Sequence, residues 1–163
     1  MNLFKLLLLA STALAQSSAQ SSTQPEVNAS TVVFVCEHGA AKSVIAAAHF
    51  NRLASEKNLP YRAVARATNP GDAVAPAVRT NLAAEGLDVP AGKPKAVSDL
   101  DLTRAGRVVS LATDLPAKKP SVKPKLLEWN DIPSVSQDYS AARAAIVGEV
   151  EKLINKLAAE AKK

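Results

Sequence analysis

The stretch VVFVCEHGAAKS, residues 32–43, contains Cys36, the only cysteine in this chain of 163 residues. An unbroken apolar and β-branched run, residues 31–35, precedes it and predicts a strand buried on both faces. The loop EHGAA has small residues and a glycine, so its backbone can curl tightly. Residues 42–58 are rich in helix formers and predict a helix with Ser43 in its first turn. The cysteine is therefore expected where a strand ends and a helix is about to begin.

The remainder of the chain continues this alternation of strands and helices. Strands are predicted at residues 61–68, 107–113 and 125–129, and helices at residues 72–86 and 138–161. The first of these helices should be capped near Asp72 and end at Gly86. The last should bury one face, formed by Ala142, Ile146, Val150, Leu153, Ile154 and Leu157. The pattern predicts an α/β fold of three layers, α/β/α, around a parallel sheet of about four strands. Its ligand site should lie at the carboxyl ends of the strands, where Cys36 is placed.

The N-terminus has the features of an export signal. Residues 1–15 combine Lys5, an apolar run and small residues at Ala13 and Ala15, which predicts a signal peptide cut after Ala15. The apolar run is too short for a membrane span, so none is expected after cleavage. Residues 16–29 are Ser/Gln-rich and predict a disordered leader, followed by one folded domain at residues 30–161. We therefore expect an exported protein, periplasmic or extracellular.

Composition restricts the classes of ligand. The net charge of +5 suits anionic ligands, but the basic residues are scattered and indicate no nucleic-acid surface. No spacing of His, Cys and Asp indicates a metal site. One cysteine cannot form an internal disulfide, so Cys36 is either buried and inert or kept for its reactivity.

The loop itself predicts an oxyanion site. The backbone N–H groups of Glu37, His38, Gly39, Ala40 and Ala41 should converge with the first turn of the helix, which carries Lys42 and Ser43. The same positive potential favours the thiolate of the cysteine, which makes it a nucleophile. The lysine adds a positive charge, and the serine hydroxyl can hydrogen-bond the sulfur. Phosphate or another oxyanion, carried by a small molecule or a protein, is the expected partner.

Cys36, five further residues, the basic Lys42 and then Ser43 resemble the phosphate-binding loop of low-molecular-weight protein tyrosine phosphatases and the related cysteine-dependent arsenate reductases. The resemblance extends over the domain through the segments RAVARAT, AVRTNLAAEGLDVP, PKAVSDLDL, RVVSLATD and EWNDIP. It implies the phosphotyrosine protein phosphatase I-like fold. It also implies hydrolysis of phosphomonoesters, phosphotyrosine among them, through a phosphocysteine on Cys36. Asp131 would be the general acid, and no cofactor or metal would be needed.

This chain departs from the family pattern at four places. Lys42 stands where the family has arginine, and Ala40 where it has asparagine. Glu37 adds a negative charge beside the cysteine. The family's acid is an aspartate directly followed by proline, whereas Ile132 here separates Asp131 from the proline.

Several assignments stay open at the level of sequence. Asp114, at another strand end, is a second candidate for the acid. Trp129 and Tyr139 form either an aromatic wall for a substrate or part of the core. His38 either touches the ligand or is simply exposed, and His49 is expected to be an ordinary helix residue. Two other functions compete with hydrolysis: arsenate reduction with an external small thiol, and oxyanion binding without turnover. The sequence does not decide the oligomeric state.

Overall fold

A computed structural model of the protein describes residue 28, residues 30–115 and residues 121–162. The predicted signal peptide, the predicted leader apart from Asn28, and residues 116–120 lie outside the described residues. The signal peptide, the leader and the boundaries of the domain therefore stay predictions.

Strands and helices alternate through the described residues. In chain order they are β1 (Thr31–Cys36), α1 (Lys42–Glu56), β2 (Arg62–Ala67), α2 (Pro76–Ala84), α3 (Asp99–Arg104), β3 (Arg107–Leu111), β4 (Leu126–Trp129) and α4 (Tyr139–Glu160). A short 3-10 turn, Lys123–Lys125, leads into β4. The strands pair in parallel in the order β2-β1-β3-β4. This confirms the predicted parallel sheet of four strands.

The two faces of the sheet bury different side chains because successive strand residues point to opposite sides. Phe34 packs with Ile45 of α1 and Ile154 of α4 on one face. Val35 packs with Leu102 of α3 on the other face. Helices therefore cover both faces, which confirms the predicted α/β/α layering. The central strand β1 lies between β2 and β3, so its carboxyl end is the point where the strand order reverses and where such sheets bind ligands.

Helix α4 follows its prediction closely. Asp138 caps it by accepting a hydrogen bond from the N–H of Ala141 at 2.9 Å. The predicted apolar face is buried at every position, namely Ala142, Ile146, Val150, Leu153, Ile154 and Leu157. No helix in the described ranges combines the length and the apolar character needed to cross a bilayer.

The start of α2 differs from the prediction. The helix begins at Pro76, preceded by Ala75 as its N-cap, and Asp72 does not cap it. Proline suits the first helical position because its φ is already helical and its missing N–H would have no partner there. Asp72 lies on the surface instead, 3.5 Å from Lys93. The other end is as expected, since Gly86 follows the helix with a φ of +68°.

Helix α3 was not among the predicted elements. Ser98 and Asp101 form a capping box at its start. Asp101 also accepts a hydrogen bond at 3.1 Å from Arg66 of β2, a side chain buried beneath the helix. Burial of the Asp101 carboxyl opposes its ionisation, but hydrogen bonds from Arg66 and Ser98 outweigh this effect and lower the pKa of Asp101. The helix is thus held to the sheet by a buried ion pair.

His49 lies on α1 and is fully buried, so it is a packing residue. Its Nδ1 lies 3.2 Å from Arg52 Nη2, and its Nε2 lies 3.6 Å from a carboxylate oxygen of Glu85. Burial lowers the pKa of His49 to about 4, so the ring is neutral at neutral pH. Arg143 holds Glu85 through two hydrogen bonds of 2.7 and 2.5 Å, which lower the pKa of that carboxyl.

Candidate active site

The loop between β1 and α1 turns sharply at Gly39. This residue has a φ of +63°, a region that L-residues with a side chain rarely adopt. A Cβ at this position would lie 2.9 Å from the Cβ of Ala67 and 3.1 Å from the Cβ of Pro94. Glycine is therefore required here for two reasons. Its φ is positive, and Ala67 and Pro94 approach too closely to leave room for a Cβ.

The loop is held from its outer side by the segment that follows β2. Three of its carbonyl oxygens accept hydrogen bonds from backbone N–H groups of that segment. The pairs are Asn69 to Glu37 at 2.8 Å, Gly71 to His38 at 3.0 Å, and Ala75 to Ala40 at 2.9 Å. Because the carbonyls are engaged outside, the curvature of the loop is fixed independently of any ligand.

Unlike the carbonyl groups, the N–H groups of this loop have no hydrogen-bond partner among the described residues. Within the described residues, no backbone or side-chain acceptor takes a hydrogen bond from the N–H groups of residues 37–44. Helix α1 also has no side-chain cap and no acidic residue in its first turn. A run of free N–H groups at a helix N-terminus attracts an anion through both hydrogen bonds and the helix dipole.

The thiol of Cys36 is at the centre of this arrangement. Its residue is the last of β1 and only 6% exposed, and its Sγ lies 3.1 Å from the hydroxyl oxygen of Ser43. The serine is itself fully buried in the first turn of α1. A hydroxyl at this distance can donate a hydrogen bond to a thiolate, so the pair is compatible with a nucleophilic sulfur.

A cavity of about 470 Å³ opens over the thiol. Most of the predicted phosphate-binding residues line it, whereas Gly39 and Ser43 are buried behind them. The lining residues are Cys36, Glu37, His38, Ala40, Ala41, Lys42, Leu111, Ala112, Ser134, Val135 and Ser136. The arrangement brings a thiol, backbone N–H groups without an acceptor among the described residues, and an open volume together at one sheet edge.

Comparison with known proteins agrees with this geometry. No protein-family model and no curated protein matches the sequence, but solved structures do. An arsenate reductase from Archaeoglobus fulgidus is 28% identical with a TM-score of 0.61, over 76% of this chain and 98% of that chain. A low-molecular-weight protein tyrosine phosphatase from T. tengcongensis is 19% identical with a TM-score of 0.69, over 77% and 98%. This chain has the low-molecular-weight phosphatase fold. A thioredoxin-dependent arsenate reductase from Corynebacterium glutamicum is 20% identical with a TM-score of 0.67, and the match covers 82% of this chain but 63% of that one.

The low-molecular-weight phosphatase fold confirms the resemblance drawn from the loop and from the later segments. It leaves the role of each residue to the local geometry. The lysine that replaces the family's arginine has a defined partner: Nζ of Lys42 donates a hydrogen bond to the carbonyl oxygen of Ile132 at 3.0 Å. The side chain of Ile132 is buried in the main core cluster. The residue that separates Asp131 from the proline therefore anchors its loop to the core and to the start of α1.

The two candidate acids are close in sequence to residues that line the cavity, but neither of them lines it. Asp131 is exposed and directly precedes Ile132, the residue tied to Lys42. Asp114 is exposed beyond β3, two residues after Ala112 of the wall. Neither carboxylate is among the residues that line the cavity. The assignment of Asp131 as the acid, with Asp114 as the alternative, stays a prediction.

Two parts of the wall were missed from the sequence. The segment Ser134, Val135 and Ser136 closes one side, with the two serine hydroxyl oxygens 2.9 Å apart. Ala112 closes another and has a φ of +50°, a strained angle for alanine. The turn signal of Pro133 and the neighbouring serines was visible in the sequence. Nothing in the sequence predicted the positive φ of Ala112, because alanine is not a residue type that favours the left-handed region.

The aromatic residues considered as a substrate wall belong to the core. Trp129 is 9% exposed, and its ring centroid lies 5.6 Å from that of Phe34. Tyr139 packs against the same core, and its hydroxyl is buried without a partner in the described structure. His38 is exposed at the mouth, with Nδ1 3.8 Å from a carboxylate oxygen of Glu37. In the described ranges, no group of His, Cys, Asp and Glu has an arrangement that could hold a metal ion.

Proposed function

We propose that the protein hydrolyses phosphate monoesters through a phosphocysteine intermediate on Cys36. The observation that carries this proposal is the position of the thiol: it ends β1, lines an open cavity, and directly precedes residues 37–44, whose N–H groups have no acceptor among the described residues. The fold shared with phosphatases and arsenate reductases supports it.

The reaction would run in two displacements. The Cys36 thiolate attacks phosphorus, the bond from phosphorus to the ester oxygen breaks, and Asp131 gives its proton to the leaving oxygen. Water then attacks the phosphocysteine while Asp131 takes a proton from it, which releases phosphate and restores the thiolate. Loop N–H groups and Lys42 hold the phosphoryl oxygens as charge moves onto them. Because the sulfur must be ionised and the carboxyl protonated, we expect highest activity at mildly acidic pH.

A second candidate is reduction of arsenate, because arsenate has the shape and charge of phosphate. Arsenate would form a bond to the Cys36 sulfur with loss of water. A thiol from another molecule would then attack that sulfur, releasing arsenite and leaving a mixed disulfide for a second external thiol to reduce. The external thiols are needed because the chain has one cysteine. The fold shared with arsenate reductases supports this candidate. A third, oxyanion binding without turnover, is favoured by the departures at Lys42, Ala40 and Ile132.

One set of assays separates the three. Purified protein is given p-nitrophenyl phosphate, or arsenate with glutathione, and a Cys36→Ser variant is the control. Hydrolysis lost in the variant supports the phosphatase, and thiol-dependent formation of arsenite supports the reductase. Binding of vanadate with neither activity indicates the non-catalytic protein. Absence of all three would overturn the assignment of the site.

We further propose that the protein is exported and that the mature chain begins at Gln16, from the pattern of residues 1–15. N-terminal sequencing of protein from its native host tests this. A chain that retains Met1 in the cytosol would contradict export, and would give the reductase candidate a ready source of small thiols.

A further inference from the structure

We propose that the site accepts an oxyanion whose carrier is small, non-aromatic and without a negative charge, and that Glu37 enforces the charge selection. This inference rests on the proposed oxyanion site and specifies its substrate class. Two independent features carry it: the absence of phenylalanine, tyrosine and tryptophan from the described wall of the cavity, and the charge at its mouth.

The structure gives the positions of all but one of the Phe, Tyr and Trp residues. The sequence has three Phe, two Tyr and one Trp, and Phe4 alone lies outside the described residues. Phe34 and Phe50 are fully buried and pack edge to face, and Trp129 adjoins them. Tyr61 directly precedes β2, at the end of the sheet opposite to Cys36. Residues 116–120, which lie outside the described residues, contain no Phe, Tyr or Trp.

The described wall is instead built from small and aliphatic side chains with two hydroxyls. Beyond the loop itself it consists of Leu111, Ala112, Ser134, Val135 and Ser136. Such a surface offers an aryl group no face-to-face or edge-to-face partner, and the one ring among the described lining residues is the largely exposed imidazole of His38 at the mouth. An arylphosphate should therefore bind no better than a small alkylphosphate.

The mouth of the cavity carries a carboxylate. Glu37 follows the nucleophile directly, lines the cavity and has a side chain 63% exposed. Its nearest basic neighbour there is His38, 3.8 Å away and also largely exposed. Lys42 directs its ammonium group to the Ile132 carbonyl. A negative group on the carrier would meet the Glu37 carboxylate, whereas a positive group would be attracted; solvent limits both effects to several-fold changes in affinity.

The first test measures binding of phosphonates, whose carbon–phosphorus bond the enzyme does not hydrolyse, to the reduced wild-type protein. Phenylphosphonate should bind within about threefold of methylphosphonate, because no phenylalanine, tyrosine or tryptophan of the described wall packs against its ring. Val135→Tyr should increase affinity for phenylphosphonate more than affinity for methylphosphonate. Tighter binding of phenylphosphonate by more than about tenfold in the wild type would overturn the inference.

The second test keeps the length of the carrier constant and varies its charge. Affinity should decrease in the order 3-aminopropylphosphonate, propylphosphonate, 3-phosphonopropionate, with a total range of about tenfold at low salt. Glu37→Gln should remove this order, and Glu151→Gln, an exposed glutamate of α4, should keep it. An order unchanged in Glu37→Gln, or a preference for the anionic carrier, overturns the role of Glu37. If neither vanadate nor methylphosphonate binds, the proposed oxyanion site itself is wrong. Binding of these anions with a different order of carriers would instead contradict only the proposed selectivity.

Discussion

Nζ of Lys42 donates a hydrogen bond to the carbonyl oxygen of Ile132 at 3.0 Å, across 90 positions of sequence. This contact joins the first turn of α1 to the loop that follows β4 and carries Asp131. The lysine is thus a structural link between the anion-binding loop and the candidate acid, besides being a positive charge at the cavity. The replacement of the family's arginine by lysine and the insertion of Ile132 are connected through this one bond.

Removal of the ammonium group should therefore affect both parts of the site. Lys42→Met keeps most of the aliphatic stem but loses the charge and the hydrogen bond. We expect kcat/KM for p-nitrophenyl phosphate to fall by about ten- to a hundredfold, the scale of a lost hydrogen bond to a charged group. Lys42→Arg should preserve binding and raise turnover, because a planar fork grips two phosphoryl oxygens. Lys152→Met on α4 is the control. Wild-type rates in Lys42→Met would remove the lysine from the site.

The general acid is tested by changing the leaving group. Asp131→Asn should slow alkyl and simple aryl phosphates strongly and p-nitrophenyl phosphate much less, because a good leaving group needs little protonation. The decrease in activity from acidic to neutral pH should also flatten, because a general acid is lost as pH rises. Both substrates are measured across pH for Asp131→Asn and for Asp114→Asn. If only the Asp114 variant shows this pattern, the acid is Asp114. If neither does while Cys36→Ser is inactive, turnover proceeds without a general acid.

The loop should not tolerate a side chain at Gly39. In Gly39→Ala the new Cβ meets Ala67 and Pro94 at 2.9 and 3.1 Å, and the φ of +63° costs about 1–2 kcal/mol. We expect the loop to shift and the affinity for vanadate to fall by at least about tenfold. Gly86→Ala is a matched control, since its φ is +68° but no atom lies within 4 Å of the added Cβ. It should lose similar stability from the backbone angle and keep vanadate affinity, as measured by titration and by denaturant unfolding. Equal vanadate affinities in the two variants would show that the loop does not bind the anion.

The hydroxyl of Ser43 should support the reactivity of the thiol. Ser43→Ala removes the group that lies 3.1 Å from Cys36 Sγ. We expect alkylation of Cys36 by iodoacetamide at pH 7 to slow by about tenfold, because a hydrogen bond to a charged sulfur is lost. Ser55→Ala, on the exposed side of the same helix, should react like the wild type. An unchanged rate in Ser43→Ala would mean that the serine serves only packing.

The buried His49 should make stability depend on pH. Its pKa is about 4 in the folded protein, because of burial, against 6.5 for an exposed histidine. Between these values the unfolded chain binds a proton that the folded chain does not, so stability falls as pH decreases from 6.5 toward 4. The loss approaches about 3 kcal/mol at the lower end. Denaturant unfolding at pH 7.5 and 5 should show a smaller difference in His49→Gln, whereas His38→Gln, exposed at the cavity, should resemble the wild type.

The lower pH of that experiment is set at 5 because Glu85 also makes the stability of the protein depend on pH, at more acidic values. Hydrogen bonds from Arg143 lower the pKa of Glu85, so its share of stability is lost only at more acidic pH than that of His49. NMR of the wild type gives an independent check. The His49 ring should stay neutral down to pH 5, and a ring that titrates near pH 6.5 would contradict its desolvation.

The sequence by itself determined the local elements that have a strong periodic or compositional signal. The apolar run into Cys36, the small residues of the loop and the buried stripe of α4 all predicted what the structure contains. These signals are local because each depends on the alternation of side chains within one strand or along one helix face. They were sufficient to place a thiol at the carboxyl end of a strand of the parallel sheet.

Only the tertiary structure decided which distant groups meet. The partner of Lys42, the burial of Arg66 against Asp101, and the wall formed by Ser134 and its neighbours depend on contacts between elements far apart in sequence. No local pattern distinguishes a tryptophan of the core from one at a cavity, so the placement of Trp129 also required the packed sheet. A short local motif predicts the chemical type of the site, whereas the shape of the cavity arises where separate segments pack together.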